Sequence, residues 1–254
     1  MDSKISIITP VFNAAQEIGT CILSVADQTY NNIEHLIIDG QSTDGTKEVI
    51  KSYSMKYPHI RWISEPDRGI YDAMNKGIDL ATGDYLYFLG ADDIFHNAQV
   101  LSSIFNNPDI KNFEFVYGNV KLVGPEERIY GGEGTLQTLK KENISHQAIF
   151  YNKLIFKKLG KYGSTFKVCE DYLFNIRCFQ DQSIKRKYLD LIIADFGSQG
   201  ISSTTNDGFI RHRLTYFKDL SILEKIKKLY FFNRPDWFRP SAIVRKWKDH
   251  KKFK

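Results

Sequence analysis

The sequence predicts an α/β protein built on a doubly wound, mostly parallel sheet, and three observations carry that expectation. Between residues 5 and 93, short runs rich in Ile, Val, Tyr and Phe alternate with segments of helical periodicity, the order of successive β-α-β units. The runs are nearly continuous in apolar residues, as Tyr85-Leu86-Tyr87-Phe88-Leu89 is, which suits strands buried on both faces. Thr9, Asp39, Arg68 and Asp92 each follow one of these runs. All four therefore project at one rim, where open α/β sheets form their ligand crevice.

Taken in order, Ile5 to Thr9 reads as a buried strand that Pro10 stops. Ile18, Ile22 and Val25 recur at helical spacing and mark a face that packs on a sheet. Ile33 to Asp39 is the second strand. Ser42-Thr43-Asp44-Gly45-Thr46 supplies N-cap residues for a helix over Lys47 to Tyr57. Ile60 to Ser64 is the third strand, and it leads into the stretch around which the chain is organised, Ser64 to Asp93. That stretch holds a polar loop, a short amphipathic helix, the strand Asp84 to Leu89, and the adjacent carboxylates Asp92 and Asp93. Two acidic side chains side by side repel unless a proton or a cation relieves them, and a divalent metal is the simplest relief. The competing reading is that one of them caps a helix beginning near Asn97.

The chain of 254 residues is long enough to bury a full core. No run approaches the roughly 18 apolar residues of a membrane span, and the N-terminus passes directly into a strand. Three cysteines, Cys21, Cys169 and Cys178, lack CxxC spacing and read as reduced thiols of a cytoplasmic protein; Asn143-Ile144-Ser145 is then a sequon without meaning. The net charge of +5 is uneven. Residues 209–254 carry 14 Lys or Arg against 4 Asp or Glu, which leaves 21 against 26 for residues 1–208. The predicted division is a domain over 1–208, with a nucleotide-binding half (1–105) and an acceptor half (106–208), followed by a basic, aromatic, partly helical extension over 209–254.

The rim residues suit one class of ligand. Asp39 can accept hydrogen bonds from a base or ribose, Arg68 can pair with phosphate, and Asp92 can hold a metal bridging phosphates. A nucleoside diphosphate uses all three. Neither GxGxxG nor GxxxxGK[ST] is present.

Ile8-Thr9-Pro10-Val11-Phe12-Asn13, Ile38 to Thr46, Glu65 to Gly77 and Ala91-Asp92-Asp93 together resemble the serial motifs of family 2 glycosyltransferases. The branch that builds bacterial O-antigens and other surface polysaccharides is the most similar, and the likeness covers about residues 4 to 205. The resemblance implies a GT-A fold, a nucleotide-sugar donor, usually a UDP-sugar, and a divalent cation, Mn²⁺ or Mg²⁺. It places Thr9, Pro10, Asn13 and Asp39 around the nucleoside, Arg68 and Asn75 near the donor, and Asp92 with Asp93 at the metal. One position departs from the pattern: Gly90 stands where many members carry the first Asp of D-x-D.

In the second half, Phe113 to Val123 reads as a strand, Gly131 to Gly134 as a turn, and Ile144 to Tyr151 as a strand opening on polar His146 and Gln147. Glu170 and Asp171 open an amphipathic helix, where acidic residues often serve only the helix dipole. By resemblance Asp171 is the catalytic base of a single inverting displacement, while His146, Gln147 and Glu170 stand on the acceptor side. Gly197 to Ser203 resembles a loop that covers the donor.

The extension mixes Lys and Arg with Leu, Ile, Tyr, Phe and Trp, as helices at a membrane interface do. It would hold the enzyme peripherally at the inner face of the membrane, near a saccharide acceptor on a carrier such as undecaprenyl diphosphate. Packing of the extension on the domain is the alternative, and the acidic body argues against nucleic acid. A sugar nucleotidyltransferase and a non-catalytic nucleotide-binding protein remain as rival functions.

Overall fold

The computed structural model describes residues 2–124, 127–197, 209 and 213–217. Ile5–Val11 forms β1, buried at every position, and it is flanked in parallel by β2 (Ile33–Asp39) and β4 (Tyr85–Phe88), with β3 (Ile60–Ser64) parallel to β2. Pro10 lies inside β1 rather than ending it. The pairing with β4 stops at Ile8↔Phe88 while the pairing with β2 runs on to Val11↔Asp39, so Pro10 occupies a stretch with a partner on one side, where a missing N–H is tolerated.

Three helices connect these strands: α1 (Ile18–Ala26), α2 (Thr46–Lys56) and α3 (Ile70–Leu80). Helix α3 lies so close to β1 that a Cβ on Gly77 would come within 2.3 Å of Ile8 Cγ2.

After β4 the chain adds β5 (Ile94–Phe95), α4 (Val100–Phe105), β6 (Phe115–Val123), β7 (Arg128–Tyr130), α5 (Leu136–Leu139), β8 (Ile149–Asn152), α6 (Lys153–Leu159), α7 (Glu170–Gln180) and β9 (Arg186–Gly197). Among the described residues these complete one nine-stranded sheet of order β3-β2-β1-β4-β8-β6-β9-β5, with β7 on β6. The parallel half ends at β4, because β8 runs antiparallel to it. The start of β8 therefore lies beside the end of β4, and that reversal positions the site.

Ile144 to Ala148 is not strand. His146–Ala148 forms a 3-10 turn, closed by the Ala148 amide donating to the Ser145 carbonyl (2.9 Å), before β8 begins at Ile149. The core behind this junction is aromatic: Tyr87 stacks on Phe150 at 4.5 Å, Phe156 on Phe174 at 4.7 Å, and Phe115 meets Tyr151 edge-on at 5.2 Å. Cys21 and Cys178 are buried thiols, and burial pushes both thiol pKa values up.

The chain divides into a unit over 1–210 and a unit over 211–254. In the first, Phe209 sets its ring 5.0 Å from those of Phe166 and Tyr172. In the second, the described residues include one 3-10 turn, Arg213–Tyr216. Residues 198–203 of the glycine-serine loop, and the basic aromatic stretch 222–254, lie outside the described residues. No described helix is long and apolar enough to cross a membrane.

Candidate active site

The ends of β1, β2 and β3 form one side of the rim. Asp39 closes β2 and is fully buried; its carboxylate accepts from the Ser42 amide (3.2 and 3.3 Å) and from the Ser64 hydroxyl (2.5 Å). Asn13, at a positive φ of 50° that asparagine tolerates, accepts from the Thr43 amide (2.9 Å), while its own amide donates to Ser42 Oγ (2.8 Å). The loops after β1 and β2 are thus stitched together. Phe12, 63 % exposed, stands over them. A Cβ on Gly40 would lie 2.5 Å from Asp67 Oδ2 and 3.3 Å from Phe12 Cδ2, so glycine at position 40 lets the Asp67 carboxylate and the exposed Phe12 ring approach the backbone there.

Arg68 has a side chain 91 % exposed and pairs with Asp72 one turn along α3 (3.0 Å). An exposed pair of this kind is worth little, so the guanidinium can turn to another anion at small cost.

At the end of β4, Asp92 is exposed and Asp93 is buried. Strand β5 intervenes before α4, whose approach is capped instead by Asn97 Oδ1 accepting from the Gln99 amide (2.9 Å). Asp93 turns inward: its Oδ2 accepts from Gln147 Nε2 (2.8 Å) and from the Gly90 amide (3.2 Å). A Cβ at position 90 would sit 2.5 Å from that same oxygen and 3.0 Å from Asp92 Oδ1. Glycine at 90 and the inward turn of Asp93 therefore require each other. Burial first, then the neighbouring Asp92 charge, push the Asp93 carboxyl up to about 6.

Among the described residues no group of three or more His, Cys, Asp or Glu side chains is arranged to hold a metal ion. The chain supplies instead one exposed carboxylate, Asp92, with Asp93 committed behind it. That set suits a hard cation that takes one or two protein carboxylates and completes its shell with phosphate oxygens and water.

Asp171 lies in the first turn of α7. Neither carboxylate oxygen is bonded to its own helix amides in the described contacts; Oδ1 accepts from the Tyr71 hydroxyl of α3 (2.7 Å) and Oδ2 from Asn143 Nδ2 (2.9 Å). Asn143 is held in turn by Asn175 Nδ2 (2.9 Å), and Asn175 by the Tyr151 hydroxyl (2.8 Å). His146 Nδ1 lies 3.6 Å from Asp171 Oδ2. Burial disfavours the charged imidazole, but the Asp171, Asp93 and Asp92 charges outweigh it and raise the His146 pKa above its ordinary value. The Tyr71 hydroxyl, buried and beside Asp171, is held well above its usual range and stays a neutral donor.

Other sequence candidates face elsewhere. Thr9 is buried, with its hydroxyl 2.9 Å from His35 Nε2. Pro10 is buried within β1. Asn75 spends both amide atoms on the Tyr162 backbone (3.0 and 3.1 Å) and clamps α3 to the loop after α6. Glu170 turns away from the cleft and accepts from the Gly163 and Phe166 amides (3.1 and 2.8 Å), shaping the loop that enters α7. Sequence reasoning passed over Phe12, Asp67, Tyr71 and Asn143 as individual site residues. Phe12 and Tyr71 carry a signal in retrospect, aromatic side chains inside otherwise polar rim motifs; Asn143 carries none.

The Glycosyl transferase family 2 profile matches residues 6–172. A "PGL/p-HBAD biosynthesis glycosyltransferase" of Mycobacterium bovis (strain BCG / Pasteur 1173P2) is 35% identical over 224 residues, covering 85% of this chain and 86% of that protein. Among solved structures, residues 1–349 of S. aureus TarS in complex with UDP-GlcNAc superpose with a TM-score of 0.70 at 18% identity, covering 94% of this chain and 74% of that one. The mannosyltransferase PcManGT from Pyrobaculum calidifontis, in complex with GDP-Man and Mn²⁺, gives a TM-score of 0.63 at 14% identity, covering 91% and 69%. These structural likenesses show a shared GT-A fold. With a profile match over more than half its length and a relative of this identity along most of it, the chain belongs to glycosyltransferase family 2.

Proposed function

We propose that the protein is an inverting glycosyltransferase that moves a sugar from a UDP-sugar to a hydroxyl of a saccharide acceptor, carried on a lipid diphosphate such as undecaprenyl diphosphate, in the assembly of a surface polysaccharide such as an O-antigen. One observation carries this reading: two consecutive residues tie the acidic groups of the cleft together. Gln147 Nε2 holds Asp93 (2.8 Å), and His146 Nδ1 faces Asp171 (3.6 Å). Carboxylates far apart in sequence are thus linked through one 3-10 turn. The UDP-GlcNAc bound to TarS supports the donor class, and the M. bovis relative's name supports a glycosyltransferase of a biosynthetic pathway.

In this reading Phe12 and Asp39 border the nucleoside, and Arg68 turns from Asp72 toward the diphosphate. Asp92, backed by Asp93, would hold a Mn²⁺ or Mg²⁺ that supplies charge neutralisation for the departing diphosphate. Asp171 is the base that collects the proton of the acceptor hydroxyl as its oxygen attacks the anomeric carbon. Attack from the side opposite the leaving group inverts the configuration.

The test is a panel of nucleotide sugars with Mn²⁺ or Mg²⁺, read by thermal stabilisation and by nucleoside diphosphate release. A UDP-sugar at a hundredfold excess over its Kd is expected to stabilise the fold by about 2.7 kcal/mol. No stabilisation by any member, or release of pyrophosphate instead, would contradict the reading. The basic, aromatic composition of residues 222–254 supports peripheral attachment to an anionic membrane surface. Cosedimentation with anionic liposomes should be lost when those residues are removed; unchanged binding would exclude them as the anchor.

A further inference from the structure

Helix α7 carries Asn175 one turn beyond Asp171, and both side chains are buried. A buried amide is costly unless its polar atoms are met, and those of Asn175 are. Its Oδ1 accepts from Tyr151 Oη (2.8 Å), and its Nδ2 donates to Asn143 Oδ1 (2.9 Å) and to the Ile144 carbonyl (3.0 Å). The backbone carbonyl can only accept, so it fixes which end of the Asn175 amide faces residues 143 and 144. With that Nδ2 facing Asn143 Oδ1, the Asn143 Nδ2 is left to donate to Asp171 Oδ2 (2.9 Å). The orientation of one amide thus dictates the next, and the series ends on the carboxylate.

Asp171 Oδ1 is held from another element. Tyr71, in the first turn of α3, donates to it through Oη (2.7 Å), with its ring set 5.3 Å from that of Tyr162. Each carboxylate oxygen has two lone pairs, so one donor apiece fixes the rotation of the group and leaves a further acceptor site on each oxygen. We propose that Asn175 is a positioning residue for the transfer: fully buried and without access to the cleft, it sets the Asn143 amide, which together with Tyr71 holds the Asp171 carboxylate in one orientation. The proposal deepens the reading of Asp171 as the base of the transferase and rests on it.

A buried polar network is high-stakes, and it is worth retaining where it specifies one arrangement among several. This one joins Tyr151 of β8, Asn143 of the loop before it and Asn175 of α7. It closes on a group whose orientation carries a rate, since displacing a reacting group by about 1 Å can cost on the order of 10²-fold.

The experiment places Asn175→Ala and Asn143→Leu in the wild-type chain and in an Asp171→Ala chain, and reads nucleoside diphosphate release, the thermal melt and UDP affinity. Asn175→Ala is expected to lose roughly 10²-fold in kcat, with donor KM and UDP affinity unchanged. Asn143→Leu should lose as much, and the pair no more than either alone, because they act in series. In the Asp171→Ala chain, Asn175→Ala should lower kcat no further, since no carboxylate is left to orient. A drop in melting temperature would persist there, which separates positioning from support of the fold. A folded Asn175→Ala protein with wild-type kcat, or a kcat loss of equal size in both chains, would overturn the proposal. Should Asn175→Ala not fold, Asn143→Leu decides on the same two criteria. Full turnover in the Asp171→Ala chain itself would overturn the reading of Asp171 as the base, and the proposal with it.

Discussion

Asp171→Asn is expected to keep UDP binding and to lose roughly 10²- to 10⁴-fold in turnover, the usual worth of a positioned base. The amide is nearly the shape of the carboxylate, so α7 keeps its place and Tyr71 can still donate to the remaining carbonyl oxygen. What changes is charge and polarity at Oδ2. An –NH₂ there would face the Asn143 amide donor, now 2.9 Å from Oδ2, and the His146 Nδ1 at 3.6 Å. The carboxylate that would collect the acceptor proton is gone. Calorimetry with UDP together with steady-state kinetics separates the two effects; near-normal kcat, or a loss of UDP affinity matching the loss of rate, would contradict the placement of Asp171 opposite the donor.

Asp93→Asn is expected to make the unliganded protein more stable at neutral pH and worse at holding a donor with its cation. In the folded chain the Asp93 carboxyl is pushed from 3.8 to about 6 by burial and by Asp92. A raised acid pKa means that the folded state binds the proton more tightly than the unfolded one. Stability therefore falls as pH rises through the interval from 3.8 to about 6, and the full penalty applies above it. The interval corresponds to up to ~3 kcal/mol. Asparagine removes the charge while its carbonyl oxygen can still accept from Gln147 and the Gly90 amide. Melting temperatures of the two proteins should coincide near pH 4, where both side chains are neutral, and diverge in favour of Asp93→Asn by pH 8. Equal destabilisation at both pH values would show that the carboxylate is not under strain. Such a local cost is what a binding site retains when function needs an uncompensated charge.

The parallel half was legible because its strands carry no alternation and its helices carry a clear apolar face. Ile33 to Asp39 and Ile60 to Ser64 are strands at those bounds in the structure, and Asp92 and Asp93 follow β4 as their place after an apolar run implied. Local patterns failed where long-range pairing decides. Pro10 stays in β1 because β4 stops short of it, a fact about a strand far along the chain. His146 and Gln147 sit in a 3-10 turn, not a strand, because the turn is fixed by Tyr87 and Asp93 from β4 and beyond.

The candidate site divides along the same line. Residue types at strand ends could be picked out from the sequence, but which way each side chain faces could not: Thr9 turns onto His35, Asn75 onto the Tyr162 backbone and Glu170 onto two loop amides. Tyr71 and Asn143 meet Asp171 from α3 and from the loop before β8, a convergence with no trace in spacing. Gly90 looks like a lost carboxylate in the sequence; in three dimensions the Asp93 carboxylate fills the space a side chain there would need.

A crystal structure with an intact UDP-sugar analogue and Mn²⁺ tests the central claim most directly. The account predicts the uracil beside Phe12 and Asp39, the diphosphate against Asp92, and the anomeric carbon between Asp92 and Asp171, with its free face turned to Asp171. A nucleotide bound elsewhere on the chain, or an anomeric carbon screened from Asp171 by protein, would contradict it.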